Sequence, residues 1–357
     1  MVRVRASLEI QFAEELAALQ EVDRRPRPPQ WQLSPWAVRT YLIGGTLETG
    51  LEITPKYIGS ARAIEIAIAT LVTDRALLLL GVPGTGKSWL SEHLSIAISG
   101  HSRFLVQGTA GTPEEALRYS WNYAKLLAQG FSAEALVASP VLRAMEEGAI
   151  VRIEELTRLP TDVQDSLLTI LSEKRLPIPE LKEDSFARQG FNLIATANQK
   201  DRGVNDLSTA LKRRFNTVVL PLPATLEMEV EIVRRRVEAL GMPLALRQET
   251  PILEEIRRVV TIFRELRQGM TEDGQRPLKS SQGVLSPADA ISVVNQGLAL
   301  AAHFGDGQLR AEDLLAGVRD VVVQESPQNA IAWEEYLETV IQSRPGWEAF
   351  YEAGRRE

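Results

Sequence analysis

The sequence of 357 residues contains no cysteine. That absence excludes a disulfide framework, thiolate zinc sites and cysteine nucleophiles, and it fits a reducing compartment. Histidine is scarce too: His93, His101 and His303 lie far apart with no paired-ligand spacing and read as ordinary residues rather than metal ligands. No long apolar run occurs. The longest, around "RALLLLGV", is strand-sized and falls short of the roughly eighteen residues a membrane span needs. The opening "MVRVRASLEIQFAEELAALQEVD" has early basic residues but soon carries glutamates at helical spacing and no uncharged centre, so a cytoplasmic protein without a secretory signal or membrane insertion is expected. Concentrated positive charge is also missing. With a net charge of −7 and basic residues scattered rather than striped, the chain is not expected to be a dedicated nucleic-acid binder.

What is present is an average globular composition, 44% apolar and 24% charged, which speaks against wholesale disorder; the length suggests two to three domains. Residues 1 to about 22 read as a short amphipathic helix. The prolines of "DRRPRPPQWQLSPW" then mark a linker or extended arm, whose Trp31 and Trp36 are expected to pack on the body or a neighbouring subunit. From "SARAIEIAIATLVTD" onward helix and strand alternate, with candidate strands near 76–81, 103–107, 149–153, 191–196 and 216–220. Alternation of this kind predicts a parallel sheet covered by helices on both faces. "TPEE" from Thr112 and "TDVQ" from Thr161 read as capping boxes. Beyond Pro223 only amphipathic helices follow: "EMEVEIVRRRVEALG", "PILEEIRRVVTIFRELRQ", "SPADAISVVNQGLALAAH" and "RAEDLLAGVRDVVVQ".

"GVPGTGKS", Gly81 to Ser88, satisfies G-x-x-x-x-G-K-[ST] after an apolar strand and before a helical segment. The glycines let backbone N–H groups turn inward around phosphates, the helix N-terminus adds partial positive charge, Lys87 reaches terminal phosphates, and Ser88 offers a hydroxyl to Mg²⁺. Such a loop needs an acidic partner. "AIVRIEELTRLP" supplies it: a strand that places Glu154 and Glu155 at its carboxyl end, where open α/β sheets bind ligands. "GFNLIATANQKD" is a further strand ending in Asn198, a residue suited to holding water against a γ-phosphate. Its "NQKD" resembles the guanine-reading N-K-x-D signature, but the lysine stands one place too late, so GTP specificity is not supported. In "DLSTALKRRFNTVVLPLP", Arg213 and Arg214 are candidates for a cation supplied in trans to another subunit's phosphate.

Taken together, the residues from about 55 to 320 resemble the AAA+ ATPase superfamily and, within it, the MoxR family. The resemblance rests on "GVPGTGKS", on "YIG" (Tyr57 to Gly59), similar to the family's adenine-side segment, on "VRIEELTRLPTDVQDSLLTILSEKRLPI", similar to the Walker B strand and following helix, on "IATAN", similar to sensor 1, and on "ALKRRF", similar to the arginine-finger segment. The interval 108–148 and "LPIPELKEDSFARQG" fall where that family places hairpin insertions. The resemblance implies an α/β P-loop NTPase fold with a parallel five-stranded sheet and flanking helices, followed by a smaller α-helical lid domain. The expected division is 1–54 (N-terminal helix and Pro-rich arm), 55–223 (nucleotide-binding domain), 224–326 (lid) and 327–357 (C-terminal helical extension).

Carried across by position, it implies that Glu154 and Ser88 hold Mg²⁺, Glu155 activates water, Asn198 is sensor 1, Arg214 is the finger and Lys87 is catalytic. The implied nucleotide-binding set is Tyr57, Ile58, Gly59, Gly81, Pro83, Gly84, Thr85, Gly86, Lys87, Ser88 and Trp89. Two positions depart from the pattern. Glu154 stands where aspartate is usual, and Ala288 where a sensor 2 arginine is common, with Lys279 or Arg276 as stand-ins. The expected activity is Mg²⁺-dependent ATP hydrolysis in a homo-oligomeric, hexameric ring that remodels or assembles a partner protein, for which the resemblance implies a von Willebrand factor A domain protein. A DNA-acting motor and a nucleotide-gated scaffold with little hydrolysis are the competing readings. The first insertion is mixed in charge, with only Arg118 and Lys125 basic, which weighs against DNA.

Overall fold

The inner strands of the central sheet are largely apolar and buried, as strands covered on both faces require, while its two edge strands, 105–107 and 215–219, are partly exposed. The computed structural model describes residues 6–198, 206–241, 252–280, 283–324 and 327–356. Its sheet strands are β1 (Ala76–Gly81), β2 (Leu105–Gln107), β3 (Ile150–Glu154), β4 (Asn192–Asn198) and β5 (Phe215–Val219). All neighbours pair in parallel, in the order β5-β1-β4-β3-β2. The register sets Asn198 beside Gly81 and Ala195 beside Ile153, so the polar ends of β1, β3 and β4 finish on one edge. The five expected strands are present, and the parallel P-loop NTPase sheet with flanking helices is the observed fold.

The chain divides into two compact units, Met1–Val82 with Gly86–Leu220, and Pro83–Thr85 with Pro221–Glu357. In the first, one face of the sheet is covered by α1 (Ala13–Val22), α2 (Pro35–Ile43), α3 (Ala61–Val72) and α4 (Lys87–Ser99). The Pro-rich arm is part of this layer. Asp23 accepts hydrogen bonds from Ser34 N and Oγ at 2.7 and 2.8 Å, closing the proline stretch into a loop, and Trp31 is buried with Leu33, Val38 and Leu42. Helix starts follow serine, with proline next in two of three cases: Ser34 caps α2, Ser60 caps α3 and Ser139 caps Pro140–Glu147. The two expected capping boxes do not form. Thr112 Oγ1 instead accepts from Thr109 N at 2.9 Å, and Thr161 is already inside its helix, behind Pro160.

Two antiparallel hairpins occupy the expected insertions. Tyr119–Trp121 pairs with Leu136–Ala138 around the short helix Tyr123–Gln129, and Arg175–Ile178 pairs with Glu183–Phe186.

The second unit is helical, with Leu226–Gly241, Leu253–Gln268, Pro287–Phe304 and Ala311–Val323 as its main helices. Trp333, Tyr336, Ile341 and Phe350 from the C-terminal segment share its core. A buried ion triad ties its start together: Glu229, fully buried, receives Arg264 at 3.3 Å and Arg267 at 2.8 Å, while Arg264 also donates to the carbonyls of Pro223 and Ala224. Removing the shared carboxylate would strip Arg267 of its carboxylate partner and leave Arg264 with only the longer pair to Glu272 at 3.5 Å. Glu229→Ala should lower the stability of this unit by about 3–5 kcal/mol. Glu231→Ala, which breaks only partly exposed pairs with Arg234 and Arg235, should cost about 0–1 kcal/mol. Denaturant-dependent hydrogen exchange in the helices Leu226–Gly241 and Leu253–Gln268 reads the difference.

Candidate functional site

The loop after β1 turns through two left-handed residues, Gly84 at φ +77° and Gly86 at φ +80°, before α4 begins at Lys87. Only glycine takes that backbone without strain, which is why the glycines stand at these positions. The turn exposes the N-terminal amides of a 13-residue helix. Lys87, largely buried, donates from Nζ to the carbonyls of Gly81 (3.1 Å) and Val82 (2.9 Å), so its ammonium lies inside the mouth of the loop.

Glu154 closes β3 with its carboxylate almost fully buried. Its Oε2 accepts from Ser88 Oγ and from Thr196 Oγ1, each at 2.6 Å, and its Oε1 accepts from Ser91 Oγ at 2.6 Å and from Arg152 at 3.3 Å. A buried carboxylate is tolerable only when its lone pairs are matched, and here four donors match them. The longer acid thus reaches Ser88 directly, and its second oxygen is held by a serine one helical turn further along α4.

Glu155 follows in a left-handed conformation at φ +55°. That backbone carries its side chain out of the core toward solvent. Its N–H donates to Thr196 Oγ1 at 3.1 Å, and its carboxylate accepts from Asn198 Nδ2 at 3.2 and 3.4 Å and pairs with Arg158 at 3.5 Å. Gly108, on the exit of β2, lies so close that a Cβ there would stand 2.3 Å from the Glu155 carbonyl oxygen. Glu154, Glu155 and Asn198 are therefore brought together beside Lys87 and Ser88. The rest of "NQKD" lies outside the described residues.

The other expected residues are placed as follows. Tyr57 is partly buried, its ring folded over Gly59, and burial pushes its hydroxyl pKa up. Ile58 lies between them, half-buried. Trp89 donates from its indole N–H to the Lys56 carbonyl at 2.8 Å, joining the Tyr57–Gly59 segment to the first turn of α4. Arg214 donates to Ser172 Oγ and the Ala210 carbonyl, both at 2.6 Å, whereas Arg213 is exposed. In the helical unit Lys279 pairs with Glu335 at 2.6 Å, Arg276 donates to the Thr339 carbonyl, and Ala288 is the second residue of the helix Pro287–Phe304.

Sequence reasoning assigned no role to Ser91, Arg152 or Thr196. Each carried a readable signal: a serine one turn after Ser88, an arginine inside an apolar strand two residues before Glu154, and a threonine two residues before Asn198 on the same strand face. Thr196→Val keeps the shape but removes the hydroxyl that serves both glutamates. A loss of about 1–3 kcal/mol is expected, because the Glu155 amide is left unmatched and Glu154 Oε2 keeps only its bond from Ser88. Ser95→Ala, which removes a single bond to the Ser91 carbonyl, should lose about 1 kcal/mol or less in the same chemical denaturation.

Among the described residues no group of three or more histidines, aspartates or glutamates could hold a metal ion unaided. The Ser88 hydroxyl, which gives its proton to Glu154 at 2.6 Å, nevertheless keeps its lone pairs and is a hard oxygen donor of the kind Mg²⁺ takes when phosphates and water complete its shell, with the Glu154 charge directly behind it. The residues fit that ion as a shared ligand of nucleotide and protein. No helix among the described residues is long and apolar enough to cross a membrane.

Comparison with known proteins agrees with this geometry. Residues 76–215 match the model of the AAA domain of the dynein-related subfamily, and residues 227–353 match that of the YehL-like AAA+ ATPase C-terminal domain. The chain is 37% identical over 353 residues to the uncharacterized protein YehL of Escherichia coli (strain K12), covering 97% of this chain and 95% of the relative. It is 31% identical over 165 residues to the uncharacterized protein SH1500 of Staphylococcus haemolyticus (strain JCSC1435), covering 46% of this chain and 62% of the relative. Among solved structures, NtrX from Brucella abortus in complex with ADP superposes with a TM-score of 0.50 at 16% identity; the match takes in 84% of this chain and 64% of the NtrX chain, a likeness of fold alone. The chain belongs to the YehL-like family of AAA+ ATPases.

Proposed function

We propose that the protein is a Mg²⁺- and ATP-dependent ATPase of MoxR type that works as a hexameric ring and remodels or assembles a partner protein. The observation that carries this reading is the pairing of two differently held glutamates at the sheet edge: Glu154 on Ser88 at 2.6 Å, and Glu155 on Asn198 at 3.2 Å. In the proposed reaction Lys87 turns its ammonium from the loop carbonyls to the terminal phosphates. Glu155 takes a proton from the attacking water while the Asn198 amide fixes the carboxylate's orientation. Ser88, backed by the Glu154 carboxylate, would hold Mg²⁺, which would supply positive charge to the phosphates. Arg214 would offer its guanidinium to the neighbouring subunit's nucleotide, with Ser172 setting its direction.

A protein partner is favoured over DNA by what the insertions expose. Tyr123 and Leu127 are 77% and 90% exposed on the first hairpin's helix, with Phe131 beyond it, and Phe186 stands out on the second hairpin. These are apolar surfaces rather than phosphate-binding ones. A von Willebrand factor A domain protein is the partner this reading names.

Glu155→Gln should bind ATP and assemble while kcat falls by about 10²- to 10⁴-fold. Lys87→Ala should lose nucleotide binding. Wild-type turnover in Glu155→Gln would overturn the assignment of the base. DNA-stimulated hydrolysis with a steep salt dependence would favour the motor reading, and a wild-type protein that binds ATP without turnover the scaffold reading. Arg214→Ala should lower activity by about 10³-fold or more. Adding Arg214→Ala subunits to Lys87→Ala subunits should restore part of it, because each supplies what the other lacks.

A further inference from the structure

Between the N-terminal helix and α4 lies a buried polar chain that the reaction above does not use. Lys56 is almost wholly buried, its side chain 2% exposed, and its ammonium pairs with Glu15 of α1. The same ammonium donates to Thr54 Oγ1 at 2.9 Å, and Thr54 donates to Glu15 from Oγ1 at 2.8 Å and from its backbone N–H at 3.2 Å. The rings of Phe12 and Tyr41 face the ammonium at 4.5 and 4.7 Å. An ammonium buried this far must keep its counter-charge, so Glu15 fixes where Lys56 can be. The backbone of Lys56 then transmits that position. Its N–H and that of Tyr57 donate to the Leu42 carbonyl at 2.9 and 3.0 Å, and its own carbonyl accepts the Trp89 indole N–H at 2.8 Å. Trp89 packs edge-on against His93 at 4.3 Å, and His93 shares a 2.8 Å hydrogen bond with the Tyr41 hydroxyl, which brings the circuit back to the rings around Lys56. One end of the circuit is the N-terminal helix; the other is the helical turn that carries Lys87 and Ser88.

We propose that Glu15 and Lys56 are positioning residues for the nucleotide: the N-terminal helix, acting through this ion pair, holds the Tyr57–Gly59 segment at a fixed distance from the first turn of α4. This rests on the reading of the protein as an ATPase whose Tyr57–Gly59 segment lies on the adenine side. The pair touches neither phosphates nor water, so it bears on binding of the base and not on the chemical step. Loss of the pair loosens the segment that faces the base while leaving Glu155 and Asn198 on strands the pair does not contact and Lys87 on the carbonyls of Gly81 and Val82.

The test measures ADP and GDP binding by calorimetry and steady-state ATP hydrolysis on the full-length chain. Wild-type protein that neither binds ADP nor hydrolyses ATP would refute the ATPase reading itself. Given a wild type that does both, Glu15→Gln should raise KM for ATP and Kd for ADP by about five- to tenfold, narrow the ADP-over-GDP preference, and leave kcat within about twofold. Glu14→Gln, on the exposed side of the same helix, should change none of these. Trp89→Phe keeps the ring but removes the hydrogen bond to Lys56 and should act in the same direction; it decides the matter alone if Glu15→Gln fails to fold. A Glu15→Gln or Trp89→Phe protein that melts earlier but keeps wild-type KM and base preference would overturn the proposal, because the pair would then be structural only. A fall in kcat at constant KM would overturn it equally.

Discussion

The site depends on how one buried carboxylate is satisfied. Glu154 sits among apolar residues of β3, where an unmatched charge would be driven out or neutralised. Its four donors come from three separate elements: Ser88 and Ser91 from α4, Thr196 from β4, and Arg152 from its own strand. The two serine bonds are lost if α4 slides along the sheet, and the threonine bond if β4 slips in register. The parallel pairing of β3 with β4 and the seating of α4 are therefore coupled through a single side chain, and the geometry of the loop before α4 follows from that seating. Charge-assisted hydrogen bonds to a buried acid are worth more than neutral ones, and they are short here for that reason.

Glutamate at this position changes what the surrounding residues must supply. It carries one more methylene than aspartate, a step of about 1.5 Å, and that places the carboxylate alongside α4 rather than short of it. Ser88 alone would then leave the second oxygen facing a helix. Ser91, one turn on, fills that side, and Arg152 adds charge from the strand. The departure from aspartate is accommodated by side chains already present in the same two elements, without a displaced backbone: Glu154 remains a regular strand residue, its carbonyl accepting the Gly108 N–H at 2.7 Å.

Much of this was legible before the structure. The five sheet strands were placed by short, mostly apolar runs between helical segments, and "GVPGTGKS" located the phosphate loop, because both depend on local residue type. What was not legible depended on partners distant in sequence. Thr112 and Thr161 looked like caps by spacing, yet Thr112 found Thr109 first, and Pro160 placed Thr161 one position too far into its helix. The proline-rich stretch read as an arm because proline breaks regular structure. Proline says nothing about packing, and the burial of Trp31 is set by the Asp23 to Ser34 clasp, a contact across eleven residues. Ser91, Arg152 and Thr196 were visible only as polar residues in apolar surroundings. Their common target became identifiable once β3, β4 and α4 had been brought side by side.

The two adjacent glutamates end with opposite physical character, and one hydroxyl decides it. Thr196 Oγ1 donates its proton to Glu154 and uses a lone pair to accept the Glu155 N–H. A hydroxyl has one proton and two lone pairs, so the first bond orients the second. Holding that amide fixes Glu155 in a left-handed backbone that disfavours a side chain by about 1–2 kcal/mol, and the turn is what sends the next carboxylate outward while its neighbour stays in. Glu154 is saturated with donors and rigid. Glu155 is partly exposed, touched by Asn198 and Arg158 at 3.2 to 3.5 Å rather than gripped, and so retains lone pairs for a proton. A fully matched carboxylate would be a poor base, and a mobile one a poor anchor. A strand end with two glutamates and one threonine on the adjacent strand yields one carboxylate that is fully matched and one that is open.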